Sequence, residues 1–334
     1  MKPWKKALKV GLVGATGVVG ETFINILEEY AFEIAELRPF ASQNSLGQKI
    51  ELAGKEWAVQ VLKPNCFDGL DMVFFSSGDD ISKEWAPQAV KSGAHAIDNS
   101  NAFRMNPEIN LVVPEVNGHL LNENSKPQVI ANPNCSTIQL VVALKPLADA
   151  FGIEDVTVST YQAVSGAGLP GYDELLKQTQ NYQDMDHEPK AFPKQILFNC
   201  IPQIGGFTED GFCSEETKIM NESPKILGLP NLKVSAFTVR IPALNSHAEA
   251  VWVTLGKEVT KAEFTNALGS FEGLAIFTDD YPTPLEASGE EPVFIGRIHQ
   301  DKHNKKRWLM WVVADNLKKG AALNGLQIAE RLFS

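Results

Sequence analysis

The stretch Ala7-Leu8-Lys9-Val10-Gly11-Leu12-Val13-Gly14-Ala15-Thr16-Gly17-Val18-Val19-Gly20 decides the fold. An apolar run of strand length ends in glycines, and from Glu21 to Tyr30 the residues Phe23, Ile24 and Leu27 recur at helical spacing, so the reading is strand, tight turn, helix. Glycine permits the turn and lets backbone N–H groups approach a pyrophosphate at the positive end of the helix. A plain strand-to-helix turn would carry the same glycines.

Outward from that turn, strands are expected at Glu33 to Phe40, Asp71 to Ser76 and His95 to Asp98, separated by helical or polar segments such as Lys83 to Ser92. The rhythm implies a doubly wound parallel sheet of Rossmann type. After Asn132 the texture changes. Val156 to Ala163, Lys233 to Ile241, Glu249 to Leu255 and Arg307 to Ala314 alternate their faces, and predict an α+β domain over a mostly antiparallel sheet. The expected division gives residues 1–133 to a dinucleotide-binding domain, completed by a C-terminal segment, 315–334, and 134–314 to the second domain. Leu326, Ala329 and Leu332 form the apolar stripe of that last segment's helix. The polar segment from Gln180 to Pro193 reads as a mobile excursion.

A chain of 334 residues exceeds the usual size of one core, in keeping with two domains. Forty-one acidic against thirty basic residues give a net charge of -11, a field that repels nucleic acid and anionic membrane surfaces. The longest apolar runs have strand length and fall far short of the roughly 20 residues of a membrane span. No signal peptide is expected. The four cysteines, at 66, 135, 200 and 213, show neither a C-x-x-C pair nor metal-ligand spacing with the six histidines, so reduced thiols in a cytoplasmic protein without metal are expected.

The second strand closes without the carboxylate that grips the ribose of NAD. Arg38, Ser42, Asn44 and Ser45 follow instead, and a guanidinium, hydroxyls and an amide suit a 2′-phosphate. NADP is therefore expected, with NAD as the alternative; solvated turn formers would read the same way. In Asn132-Pro133-Asn134-Cys135-Ser136-Thr137 the proline disfavours helix, and Ile138 to Leu147 then reads as one. Cys135 thus stands at a helix N-terminus, where partial positive charge favours the thiolate. A lone cysteine is otherwise a small buried hydrophobe, so its partners decide. His247 offers a group that titrates near neutrality and Arg240 a planar fork for a carboxylate, although each residue alone could be structural.

Taken together these segments resemble the aspartate-semialdehyde dehydrogenase family along nearly the whole chain. The resemblance rests on G-A-T-G-x-V-G at Gly14 to Gly20, N-P-N-C-S-T at Asn132 to Thr137, Y-Q-A-V-S-G-A-G at Tyr161 to Gly168, E-x-x-K at Glu215 to Lys218, R-x-P-x-x-x-x-H at Arg240 to His247 and D-N-L-x-K-G-A-A-x-N at Asp315 to Asn324. It implies that Cys135 is the nucleophile and His247 the general acid and base, with Gln162 and Asn134 supporting the reacting centre. Arg240 and Glu215 would hold the substrate's carboxylate and amino group, and Arg104 and Lys218 its phosphate. A local Glu215–Lys218 ion pair, worth about 0.2–0.5 kcal/mol, is the competing reading. Gly14, Ala15, Thr16, Gly17, Val18 and Val19, together with Ser77, Ser165, Gly166 and Asn316, would line the cofactor. The resemblance also implies a homodimer, a catalytic and dimerisation role for the second domain, and reduction of a small acyl phosphate by NADPH through a cysteine thioester. Two features depart from the family pattern: Asp79 and Asp80 follow Ser76-Ser77-Gly78 where a small, glycine-rich turn is usual, and Asn44 stands where many relatives carry arginine. The rival readings are an N-acetyl-glutamyl-phosphate reductase, whose cysteine segment differs, and a non-catalytic relative, expected to lose the cysteine or the histidine.

Overall fold

The computed structural model describes residues 1–183 and 188–334, and the chain forms two compact units, Met1–Asn134 with Ala321–Ser334, and Cys135–Gly320. In the first unit β1 (Leu8–Val13), α1 (Val18–Glu29) and β2 (Ile34–Phe40) follow in order. A hairpin, β3 (Lys49–Leu52) and β4 (Lys55–Ala58), precedes β5 (Met72–Phe75), α2 (Asp79–Lys91), β6 (His95–Asp98), β7 (Asn110–Leu111), α3 (Pro114–Asn117) and β8 (Val129–Ala131). The main sheet runs β2-β1-β5-β6-β8-β7, and every pairing in it is parallel.

Alternation along the strands explains why this sheet is covered twice. Val10, Leu12, Met72, Phe74 and Ile97 share a core with α1 and with the C-terminal helix, Leu323–Phe333; Val13, Val73, Phe75 and Ala96 share another with Ala86 and Ala89 of α2. Phe23 and Phe74 stack at 4.6 Å between ring centroids. A Cβ on Gly325 would lie 2.3 Å from the Phe74 ring, so only glycine lets the C-terminal helix come this close. The strand order reverses between β1 and β5, which makes their carboxyl ends the crevice where such sheets bind ligands.

The second unit contains α4 (Cys135–Phe151), β9 (Ile153–Gln162), α5 (Gly168–Gln180), α6 (Ser214–Leu227), β10 (Lys233–Arg240), β11 (His247–Leu255), α7 (Lys261–Gly269), β12 (Leu274–Ile276), α8 (Pro284–Ala287), β13 (Val293–Gln300) and β14 (Arg307–Ala314). Its sheet runs β10-β9-β11-β14-β13-β12. The pairings among β9, β11, β14 and β13 are antiparallel and the two outer ones parallel, as expected for a mostly antiparallel sheet.

Of the polar segment 180–193, residues 184–187 lie outside the described residues. Its far flank is tied down: Glu174 of α5 accepts the Lys190 and Ala191 N–H groups at 2.8 and 2.5 Å, and Phe192 is buried beside Leu175 and Ile196. No helix among the described residues is long and apolar enough to cross a membrane.

Candidate active site

Cys135 is the first residue of α4 and is partly exposed. A Cβ on Gly320 would lie 2.9 Å from the Cys135 Cβ, so that glycine leaves room for the thiol. Arg240 ends β10 and His247 begins β11. Both are buried, and one peptide unit, that of Ala163, holds them: its N–H donates to His247 Nδ1 at 3.1 Å, and its carbonyl accepts Arg240 Nη1 at 2.6 Å. A backbone N–H can only donate, so Nδ1 is unprotonated and the neutral ring carries its proton on Nε2. That Nε2 is buried and has no hydrogen-bond partner among the described residues. A Cβ on Gly166 would lie 2.8 Å from Arg240 Nη1 and 3.2 Å from His247 Nε2, so Gly166 is the open wall that both groups face.

Strain aims the imidazole. Ser246, just before it, has φ +68° in the left-handed region, and its N–H is held at 2.9 Å by Asn316 Oδ1, which also accepts Ser165 Oγ at 2.9 Å. Burial first, then the neighbouring Arg240 cation, lower the His247 pKa to about 3, while Glu215 opposes the shift. Burial also lowers the Arg240 pKa, against the attraction of Glu215 and of Cys135, which places the cysteine within electrostatic reach of the guanidinium. Phe192 lies under that guanidinium, 5.9 Å from ring centroid to Cζ. Gln162, at the end of β9, is buried and donates to Thr160 Oγ1 at 3.3 Å.

Glu215 and Lys218 stand one turn apart on α6, as the spacing predicts, and they do form a local ion pair at 3.0 Å. Glu215 is nevertheless buried and acts on both Arg240 and His247, which a solvated surface pair would not do. In the first unit Arg104 is buried and donates to the carbonyls of Asn132 and Asn99 at 3.0 and 2.9 Å. Asn132 Nδ2 donates to Asn99 Oδ1, and Asn324 Nδ2 to Asn132 Oδ1, both at 2.7 Å, so a chain of amides anchors the segment that ends in the buried Asn134.

The glycine turn fits a dinucleotide. At Gly14, with φ +85°, a Cβ would lie 2.7 Å from Ser76 Oγ, and at Gly20 2.4 Å from the Gly14 carbonyl. Gly17 caps α1 with no side chain, and the buried hydroxyl of Ser77, at the end of β5, has no partner. Those unmatched groups are what a pyrophosphate and its ribose take up. Ser42, Asn44 and Ser45 lie in and around a short 3-10 turn after β2. Arg38 donates to Glu36 at 2.5 Å and to the Cys66 and Asp68 carbonyls at 3.0 and 2.9 Å, so it braces the loop before β5. The two extra carboxylates are structural. Asp79 accepts the Asn101 N–H at 2.9 Å and Asp80 is fully exposed, both in the favourable first turn of α2.

Residues 9–124 match the model of the semialdehyde dehydrogenase NAD-binding domain, and residues 144–319 that of the semialdehyde dehydrogenase dimerisation domain. The aspartate-semialdehyde dehydrogenase of Aquifex aeolicus is 47% identical over 97% of both chains, and that of Bacillus subtilis 43% over 98% of both. The chain belongs to the aspartate-semialdehyde dehydrogenase family. Among solved structures, aspartate semialdehyde dehydrogenase II from Vibrio cholerae complexed with ASA superposes with a TM-score of 0.92 at 40% identity, covering 98% of each chain. The Candida albicans family member, solved with NADP, gives 0.77 at 26% identity, again over 98% of each.

Sequence reasoning missed the residues of this family member that act through the main chain or through shape. Ala163 lies inside a family motif, yet its side chain gives no hint that its peptide group holds both His247 and Arg240. Phe192 sat in a segment without periodicity. Asn324 closed a family motif, yet only the fold shows that it grips Asn132.

Proposed function

We propose that the chain reduces the β-acyl phosphate of aspartate to aspartate β-semialdehyde and inorganic phosphate, through a thioester on Cys135. The observation that carries the reading is the convergence of a helix-start cysteine, a buried guanidinium and an unmatched imidazole Nε2–H in one unit. The Cys135 thiolate, favoured by the α4 N-terminus and the Arg240 cation, attacks the β-carbonyl carbon. The carbon–oxygen bond to phosphate then breaks, and the leaving phosphate takes up a proton from water. NADPH, held at the glycine turn, supplies a hydride to the thioester when bound. The resulting tetrahedral oxyanion collapses, the carbon–sulfur bond breaks, and the aldehyde leaves as the thiolate is restored. In both tetrahedral states His247 Nε2–H donates to the oxyanion, acting as acid, and recovers its proton as base on collapse.

In this reading Arg240 binds the α-carboxylate and Glu215 the α-ammonium, which their opposite charges suit. In the second unit Lys218 is assigned to the phosphate, Gln162 to the reacting carbonyl, and Ser165, Gly166 and Asn316 to the nicotinamide; in the first unit Arg104 is assigned to the phosphate and Asn134 to the carbonyl. Ser42, Asn44 and Ser45 take the 2′-phosphate of NADP. Steady-state assays of NADP reduction with aspartate semialdehyde and phosphate test the activity directly; turnover in wild type, none in Cys135→Ser and a weaker rate with NAD are expected. Loss of turnover in the wild type, or full turnover in Cys135→Ser, would overturn the reading.

A homodimer built through the second unit accompanies it. Phe198, Phe207, Phe237 and Leu244 expose 76%, 62%, 55% and 48% of their surface, an apolar display that calls for a partner, and sedimentation should give twice the 36.6 kDa chain mass. The four cysteines form no disulfide among the described residues, which supports a reducing, cytoplasmic location.

A further inference from the structure

Beneath Cys135 and His247 lies a second pair of polar side chains. Gln139 stands one helical turn below Cys135 on α4, so the two share a face, and Glu249 stands two residues beyond His247 on β11, so those two share a face as well. Helix α4 packs on this strand, and Gln139 comes close enough to Glu249 to act on its carboxyl. Exposure is 0% for Glu249 and 1% for Gln139, yet among the described residues no hydrogen bond of ordinary geometry reaches Glu249 Oε1, Glu249 Oε2 or Gln139 Nε2, although Gln139 is near enough to act on the carboxyl.

A carboxylate here would have no counter-charge beside it in the sheet. The residues beside Glu249 on the neighbouring strands are Thr160 of β9 and Val312 of β14, neither of them charged. Burial accordingly raises the Glu249 pKa well above the ordinary carboxyl value, opposed only by Gln139. The neutral acid has one donor and an acceptor, the complement of a primary amide. Valines at 251 and 253 fill equivalent places farther along the strand, so packing alone does not call for a polar group.

We propose that Glu249 and Gln139 are positioning residues for this reaction, whose carboxyl and amide form a buried hydrogen-bonded bridge, direct or through one water, that sets the first turn of α4 against the start of β11. Through that bridge the pair fixes the Cys135 sulfur relative to the His247 ring without touching substrate. The inference rests on the reading of Cys135 and His247 as nucleophile and acid.

Full-length Glu249→Leu, Glu249→Gln, Gln139→Leu and the double leucine variant test it, with Cys135→Ser in parallel. Misplacing reacting groups slows chemistry rather than binding, so Glu249→Leu and Gln139→Leu should each lower kcat about tenfold or more while KM for the aldehyde and for phosphate stays within about twofold. Both should also shift the pH dependence of Cys135 alkylation by iodoacetamide. Glu249→Gln, which keeps a donor and an acceptor, should retain at least about a third of kcat, and the double variant should be no worse than the slower single one. Glu249→Leu or Gln139→Leu with wild-type kcat and alkylation, Glu249→Gln as slow as Glu249→Leu, or additive losses would each overturn the proposal. Should Glu249→Leu fail to fold by its melting curve, Gln139→Leu and Glu249→Gln decide alone. Activity surviving in Cys135→Ser would instead refute the reading of the nucleophile, so the two failures are distinct.

Discussion

The Ala163 N–H donates to His247 Nδ1 at 3.1 Å, and this one bond sets which ring nitrogen carries the proton. With Nδ1 accepting, the resting imidazole offers an acid at Nε2. Burial and Arg240 hold its pKa down to about 3. A ring nitrogen NMR titration of the free protein should therefore show His247 neutral, as the Nε2–H tautomer, from pH 8 to about pH 5. A midpoint near 6.5 would contradict the buried geometry. The linkage has a definite sign: the ordinary pKa is 6.5, so between that value and about 3 the unfolded chain binds a proton that the folded chain excludes. His247 thus contributes no penalty above about pH 6.5, and increasingly destabilises the folded state as the pH falls toward 3.

Arg240 is buried with its Nη1 already fixed to the Ala163 carbonyl, so its remaining donors present a rigid fork. Arg240→Lys keeps the charge and loses the fork. Its KM for aspartate semialdehyde should rise about tenfold or more, with a smaller change in kcat. Steady-state kinetics check this, and an unchanged KM would remove Arg240 from the carboxylate site.

Gly166→Ala would place a methyl 2.8 Å from Arg240 Nη1 and 3.2 Å from His247 Nε2. Both side chains would have to yield by fractions of an ångström, and misplacement on that scale lowers kcat/KM by about 10- to 100-fold. Melting should change little, because the alanine adds volume on the open wall. Comparing kcat/KM with the melting temperature separates the two effects.

The fold was legible where periodicity and glycine spacing coincide. Val10 to Gly20 and the apolar positions 23, 24 and 27 specified a strand, turn and helix, and β5, β6 and β14 followed from their apolar runs. The strands β7 and β8 were not legible, because strands of two and three residues are made by pairing partners distant in sequence, and the hairpin in which β3 and β4 pair with each other across Ala53 and Gly54 was not read either. Among the candidate site residues, those that carry charge or a thiol were picked out through motif context. The pairing of Arg38 Nε with Glu36, two residues earlier on the same strand, was not legible in the sequence. Glu249 was read only as the start of a strand, because nothing in an alternating pattern distinguishes a buried acid from an outward-facing one.

Gly325→Ala tests the packing of the first unit. The added methyl would fall 2.3 Å from the Phe74 ring, itself fully buried and stacked on Phe23, so the C-terminal helix must shift. Overpacking of this kind costs about 1–3 kcal/mol. Chemical denaturation should register the loss, and wild-type stability would show that the helix is seated differently.

The central claim is a covalent bond at Cys135, and it can be weighed. Protein incubated with aspartate semialdehyde and NADP without phosphate should accumulate an aspartyl thioester, seen by intact mass and mapped to the peptide that contains Cys135, and phosphate should discharge it. A protein that turns over under the same conditions but carries no adduct, or carries it on Cys66, Cys200 or Cys213, would contradict the account.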